Sequence, residues 1–303
     1  MTEVVGGTPV VKLARIVPED SADVYVKLEW FNPTGSYKDR MALAMIEEAE
    51  RRGDLRSGMT VVEYTGGSTG SSLAYVCAAK GYRFRVVSSD AFSKEKLKTM
   101  TVFGAELIIV PSDRGQITPD LVPRMMEKAA ELATEPDTYW TDQLNNADSL
   151  VGYRKVGDEL LDQFPHFDVF CAAVGTAGLA MGVAEALRDA NANTKVVIFE
   201  PASTPVISSG RAGTHHVEGI GIGFVPPLLV PELFDEARPV PEEDGRRTAR
   251  RLATEEGLLA GTSTGLNVAG ALTIAEELGA GHSVVTVAVD TGLKYLTGDL
   301  YDY

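Results

Sequence analysis

Short apolar runs and longer amphipathic stretches alternate along the chain. The runs 24–28 (VYVKL), 60–64 (TVVEY), 84–88 (FRVVS), 106–110 (ELIIV), 168–174 (DVFCAAV), 195–199 (KVVIF) and 283–289 (SVVTVAV) predict strands. Between and beyond them, helical spacing predicts helices over 37–52, 68–80, 93–103, 121–134, 147–163, 178–190, 242–256 and 263–278. Gly53, Gly81 and Gly104 stand where three of these helices would stop. Strands alternating with helices imply an α/β fold with mostly parallel sheets covered by helices. Such sheets bind ligands beyond the carboxyl ends of their strands, so the loops after strands carry the information. No repeat, low-complexity tract or charge block breaks the pattern, and no linker is obvious. The expectation is therefore two lobes with a cleft between them.

The loop at 30–40 comes first. Asn32-Pro33-Thr34-Gly35 is dense in turn residues, and Ser36 with Asp39 comes close to a capping box for the helix that follows. Met41, Ala44, Met45 and Ala49 form that helix's apolar face, which places Lys38 in its first turn. The positive end of a helix disfavours an ammonium ion and favours the neutral, nucleophilic amine. Lys38 is thus either a solvated surface lysine or a lysine used as a nucleophile.

Two further loops are built for anions. Thr65-Gly66-Gly67-Ser68-Thr69-Gly70 follows a strand and opens a helix, with glycines that let backbone N–H groups converge. It suits a carboxylate or phosphate; a tight turn with Ser68 as N-cap is the plainer reading. Gly175-Thr176-Ala177-Gly178-Leu179 repeats the arrangement after strand 168–174. Its G-x-x-G spacing allows a degenerate dinucleotide loop, with Glu200 at the end of the next strand as the ribose acid. The alternate glycines of Glu218-Gly219-Ile220-Gly221-Ile222-Gly223 indicate close backbone approach or flexibility. A helix end, a turn and a new helix capped near Ser263 account for 255–265, and Gln143 falls in a polar, cap-like cluster at 142–146.

Composition narrows the partners. Apolar residues make up 44% of the 303 positions and charged residues 23%, an ordinary globular mixture with enough chain for a sizeable core. Forty-three acidic against 28 basic residues give a net charge of −15, which argues against nucleic acid or an anionic membrane as partner. No apolar run is long enough to span a bilayer, and the N-terminus lacks a signal pattern. Cys77 and Cys171, both in apolar surroundings, read as buried reduced thiols of a cytoplasmic protein. His166, His215, His216 and His282 have no metal-ligand spacing, so no metal site is expected.

Together these segments resemble the cysteine synthase/cystathionine β-synthase family of fold type II pyridoxal-phosphate (PLP) enzymes. The resemblance runs from Gly6-Gly7-Thr8-Pro9 to Tyr295, with the loops in the family's order. It implies a two-lobe, tryptophan synthase β-like fold with the cofactor in the interlobe cleft. Residues 35–141 would form a smaller, mobile, substrate-binding lobe; 1–34 and 142–303 would form a larger, cofactor-binding lobe. Phe31–Arg40 resembles the cofactor-lysine segment, so Lys38 would form the Schiff base with PLP and then act as the base at the α-carbon. Residues 65–70 resemble the family's Thr-Ser-Gly-Asn-Thr-Gly loop. Thr65, Gly66, Ser68 and Thr69, with Gln143, would take the substrate carboxylate, and Ser68 would also meet the cofactor's 3′ oxygen. Gly66 and Ser68 depart from the family's serine and asparagine; Gly66 loses a hydroxyl and would leave space. Gly175, Thr176, Ala177, Gly178 and Leu179 resemble the Gly-Thr-Gly-Gly-Thr phosphate cup, with Ala177 and Leu179 as departures that weaken it by a hydroxyl.

Gly219 lies in the segment resembling the loop along the cofactor's edge, and Glu200-Pro201 matches a family Glu-Pro. Ser263 is a possible cofactor neighbour. Thr291 would meet the pyridine nitrogen, with Asp290 as a second candidate. A neutral hydroxyl there does not force ring protonation, and the weaker electron sink favours elimination at Cβ. The implied activity is PLP-dependent β-replacement on an O-activated serine through an aminoacrylate, with sulfide as the commonest nucleophile. A serine/threonine ammonia-lyase, or a synthase of another β-substituted amino acid, keeps the cofactor. A non-catalytic nucleotide- or partner-binding module keeps only the fold. A homodimer is also implied.

Overall fold

The computed structural model describes residues 1–116, 118 and 120–302. The described residues form ten strands: β1 (Val10–Lys12), β2 (Asp23–Leu28), β3 (Thr60–Tyr64), β4 (Arg83–Ser88), β5 (Glu106–Ile109), β6 (Thr138–Trp140), β7 (Val169–Ala173), β8 (Lys195–Pro201), β9 (Glu236–Val240) and β10 (Ser283–Ala288). Their α-helices are α1 (Lys38–Arg52), α2 (Ser68–Lys80), α3 (Lys94–Val102), α4 (Leu121–Ala133), α5 (Asp148–Gln163), α6 (Gly178–Asp189), α7 (Val206–Ser209), α8 (Glu242–Arg251) and α9 (Thr262–Leu278). The chain divides into two compact units, one of residues 1–5 and 38–152, the other of 6–37 and 153–303.

In the first unit, a four-stranded sheet in the order β5-β4-β3-β6 is parallel throughout. All five residues of β3 are buried, as a central parallel strand requires. Val62 and Tyr64 of β3 and Val87 of β4 pack with Leu121, Met125, Ala129 and Leu132 of α4. Met41, Met45 and Ala49 of α1 are fully buried, as their spacing predicts. Gly81 closes α2 with a left-handed φ of 80°.

The second unit holds a six-stranded sheet in the order β1-β2-β10-β7-β8-β9, parallel except for the antiparallel β1–β2 pair. Its core joins Val24, Val26 and Leu28 of β2 to Val284 and Ala288 of β10 and to Leu266, Val268, Ala271 and Ala275 of α9.

Three strands lack an apolar run to announce them. β1 and β6 have three residues each, and β9 (EARPV) is an edge strand carrying Pro239, where a missing N–H is tolerated. The helix expected over 242–256 is α8 followed by a π-helical turn, Leu252–Glu256, stopped at Gly257 with φ 72°. The N-cap of α9 is Gly261 rather than Ser263.

Candidate active site

In the first unit, β3 delivers the chain into residues 65–69 and α2 carries it away. The Thr65 N–H donates to the Val87 carbonyl (2.9 Å), and the Gly67 N–H donates to Thr65 Oγ1 (3.1 Å). The N-cap of α2 is Gly67, with no side-chain cap, so the reading of Ser68 as N-cap is corrected: Ser68 is the first helical residue. Thr69 Oγ1 donates to Gln143 Oε1 (2.8 Å), and Gln143 Nε2 donates to the Tyr64 carbonyl (3.2 Å). β6 pairs with β3, and the chain leaving it brings Gln143 to the loop.

Beneath Gln143 lies Glu63, fully buried in β3. Its carboxylate accepts from Thr141 Oγ1 (2.7 Å), the Gln143 N–H (3.0 Å) and the Tyr64 N–H (2.9 Å). Burial pushes the Glu63 carboxyl up to about 7, against the pull of these three donors. Only one sequence signal marks Glu63, a carboxylate inside an apolar strand.

The space expected beside Gly66 is filled. A Cβ added there would overlap the Cε1, Cδ1 and Cζ atoms of Phe92. Gly66 does not take a left-handed φ, so the ring, and not the backbone, excludes a side chain. Nothing in the sequence couples these two positions.

Lys38 is the first residue of α1 and is 7% exposed, which rules out the solvated surface lysine. Asp39 and Arg40 beside it are buried as well. Gly152 abuts the Arg40 carbonyl so closely that a Cβ would overlap it. The whole start of α1 is therefore held in protein.

In the second unit, adjacent parallel strands β7 and β10 end side by side. Gly175–Leu179 follow β7 and open α6. Ala177, at the N-cap, has φ 68°, a left-handed conformation that favours glycine and costs an alanine about 1 kcal/mol. Among the described residues, the N–H groups of Thr176, Ala177, Gly178 and Leu179 have no acceptor in the chain. Gly175 lies against the Gly219 carbonyl, where a Cβ would not fit. Gly219, Gly221 and Gly223 all take left-handed φ (83°, 60° and 85°), so their alternation is a backbone requirement. His215 also shapes this loop: Nδ1 accepts from the Val217 N–H (3.1 Å), and Nε2, which then carries the proton, donates to the Gly221 carbonyl (2.8 Å).

Glu200 does not serve as a ribose acid. Its carboxylate accepts from the N–H groups of Ile207 and Ser208 (2.8 Å each) at α7. After β10, Thr291 Oγ1 accepts from the Leu293 N–H (3.3 Å). The Thr291 methyl is 2.8 Å from where a Cβ on Gly35 would lie. Asp290 is buried and accepts from the Tyr295 hydroxyl (2.7 Å). Burial and Asp290 hold that phenol well above its ordinary value. Ser263 is buried in the first turn of α9. Cys77 and Cys171 are buried and free, with both thiols pushed up by burial.

The family described as pyridoxal-phosphate dependent enzymes matches residues 1–290. The chain belongs to that family. Over 306 aligned residues it is 42% identical to cysteine synthase of Staphylococcus aureus, covering all of this chain and 97% of that relative. Among solved structures, O-ureido-L-serine synthase is 37% identical, with a TM-score of 0.92 over 99% of this chain and 94% of that one. Cysteine synthase from Entamoeba histolytica is 31% identical, with a TM-score of 0.93 over 100% and 90%. The residues present fit this family's cofactor. The unmatched N–H groups at the start of α6 form an anion seat of the kind a phosphate needs, and the buried Lys38 offers an amine for an aldehyde.

Proposed function

We propose that this PLP-dependent enzyme exchanges the O-linked group of an activated serine for a nucleophile, with sulfide foremost, as a cysteine synthase does. The observation that carries the reading is the end of β10. There Oδ2 of Asp290 accepts from the Tyr295 hydroxyl, and Thr291 next to it, whose Oγ1 accepts from the Leu293 N–H, keeps a neutral hydroxyl proton to donate. A neutral partner for the ring nitrogen suits elimination and replacement at Cβ better than transamination.

The roles divide between the units. In the second, the N–H groups of 176–179 and the Thr176 hydroxyl would hold the phosphate, Gly219 would pack along the cofactor, and Thr291 would face the ring nitrogen. In the first, Lys38 would anchor the cofactor, and Thr65, Ser68, Thr69 and Gln143 would orient the substrate carboxylate. Bound there, the cofactor supplies an electron sink for the charge left on the substrate's α-carbon. Lys38 Nζ would be the base that accepts the α-proton. Thr69 and Gln143, bonded to each other and through Gln143 to β3, arrive at the substrate already oriented. Ser68, shorter than the family's asparagine, would donate its hydroxyl to the cofactor's 3′ oxygen.

The proposal extends to a homodimer in the cytoplasm, a setting that suits two buried reduced thiols. Product analysis with O-acetyl-L-serine tests the reading. Cysteine formed when sulfide is present supports it. Pyruvate and ammonia at the same rate with and without sulfide would make the protein a lyase instead.

A further inference from the structure

We propose that Phe92 is a specificity-determining residue that limits the β-substituent of the substrate to small groups. The inference rests on the reading that residues 65–69 receive the substrate. The ring of Phe92 occupies the volume that any side chain at position 66 would need, and Gly66 is the residue that admits it. The ring is held from two sides. The Phe92 N–H donates to the Ser89 carbonyl (3.2 Å), and the turn below is fixed by Ala91 N–H to Ser89 Oγ (3.3 Å) and Ser112 N–H to Asp90 Oδ1 (2.8 Å). The side chain packs on the core made by Val62, Tyr64, Val87, Leu121 and Met125. It remains half-buried, so part of the ring surface beside the loop is not covered by the chain.

The exchange has two chemical consequences. The loop loses a side-chain hydroxyl at position 66 and keeps its backbone donors. It also gains an apolar wall that takes up room and does not bend as a long aliphatic chain would. All candidate substrates share the α-amino and carboxylate groups and differ only in the group on Cβ. A rigid wall at the loop therefore discriminates by the size of that group, favouring short esters and carbamoyl-like substituents over long acyl chains. A pocket wall of this kind is worth roughly 10–200-fold in discrimination per methylene-sized change.

The test uses the holoenzyme with O-acetyl-L-serine and O-butyryl-L-serine, and the variants Phe92→Ala, Phe92→Leu, Gly66→Ser and Gly66→Ser/Phe92→Ala. Phe92→Ala, and to a smaller degree Phe92→Leu, should raise kcat/KM for the butyryl ester relative to the acetyl ester by roughly tenfold. Gly66→Ser alone should lower the thermal midpoint of the protein by roughly 3 °C or more, and the same change in the Phe92→Ala background should not. A shift in ester preference below about twofold in both Phe92 variants, or additive effects of the two substitutions on thermal stability, would overturn the proposal. Turnover of neither ester by the unaltered protein would instead remove the reading it rests on. Those two failures are told apart by the unaltered protein alone.

Discussion

At the residue scale, a few side chains hold positions that their neighbours would not otherwise tolerate. Lys38 is a lysine almost wholly out of solvent at a helix start. Lys38→Ala should reduce turnover by at least about 1,000-fold while leaving the far-UV circular dichroism unchanged. Ala177 sits in a backbone conformation meant for glycine. Ala177→Gly should raise the unfolding free energy by only about 0.5 kcal/mol in a urea titration, because the entropy that glycine adds to the unfolded chain offsets much of the strain relieved. Glu63 gives a pH signature. With its carboxyl raised from 4.5 to about 7, the native state keeps a proton between those pH values that the unfolded chain has lost. Its contribution to stability therefore falls as the pH rises through that window. Replacing it by glutamine removes the slope. Glu63→Gln should gain on the unaltered protein by about 2 kcal/mol in unfolding free energy between pH 5 and pH 8, read from urea titrations at the two pH values.

At the element scale, what matters is where strands hand over to helices. β3 to α2 and β7 to α6 are both short glycine-bearing turns, and each ends a buried parallel strand. Gly175 is fixed by the Gly219 carbonyl, a backbone atom that cannot swing aside. Gly175→Ala should therefore weaken binding of the cofactor by at least about tenfold in equilibrium dialysis, with helix content unchanged. These turns were legible in the sequence because glycine, serine and threonine after an apolar run have few other uses. The central strands were legible for the same reason that they are buried. β1, β6 and β9 were not, since short and edge strands need no apolar run. The pairing of Gly66 with Phe92 and the hold of His215 on Gly221 were also out of reach. Both depend on side chains packed against a loop from elsewhere in the chain, and no periodicity records such contacts.

At the scale of the whole molecule, two compact units carry the sequence motifs in different places: Lys38 and residues 65–69 in one, residues 175–179 and Thr291 in the other. The net charge of −15 adds a general expectation, that the protein will not be retained on heparin even at low salt. PLP bound through Lys38, and an O-activated serine as substrate, are what the two units together predict. The most direct measurement is a visible absorbance spectrum of the purified protein and of Lys38→Ala, before and after O-acetyl-L-serine is added. The unaltered protein should show a cofactor band that shifts when the ester is added and returns when sulfide follows, with no such cycle in Lys38→Ala. An unaltered protein that shows no visible band after incubation with PLP, or whose band ignores the ester, would contradict that prediction.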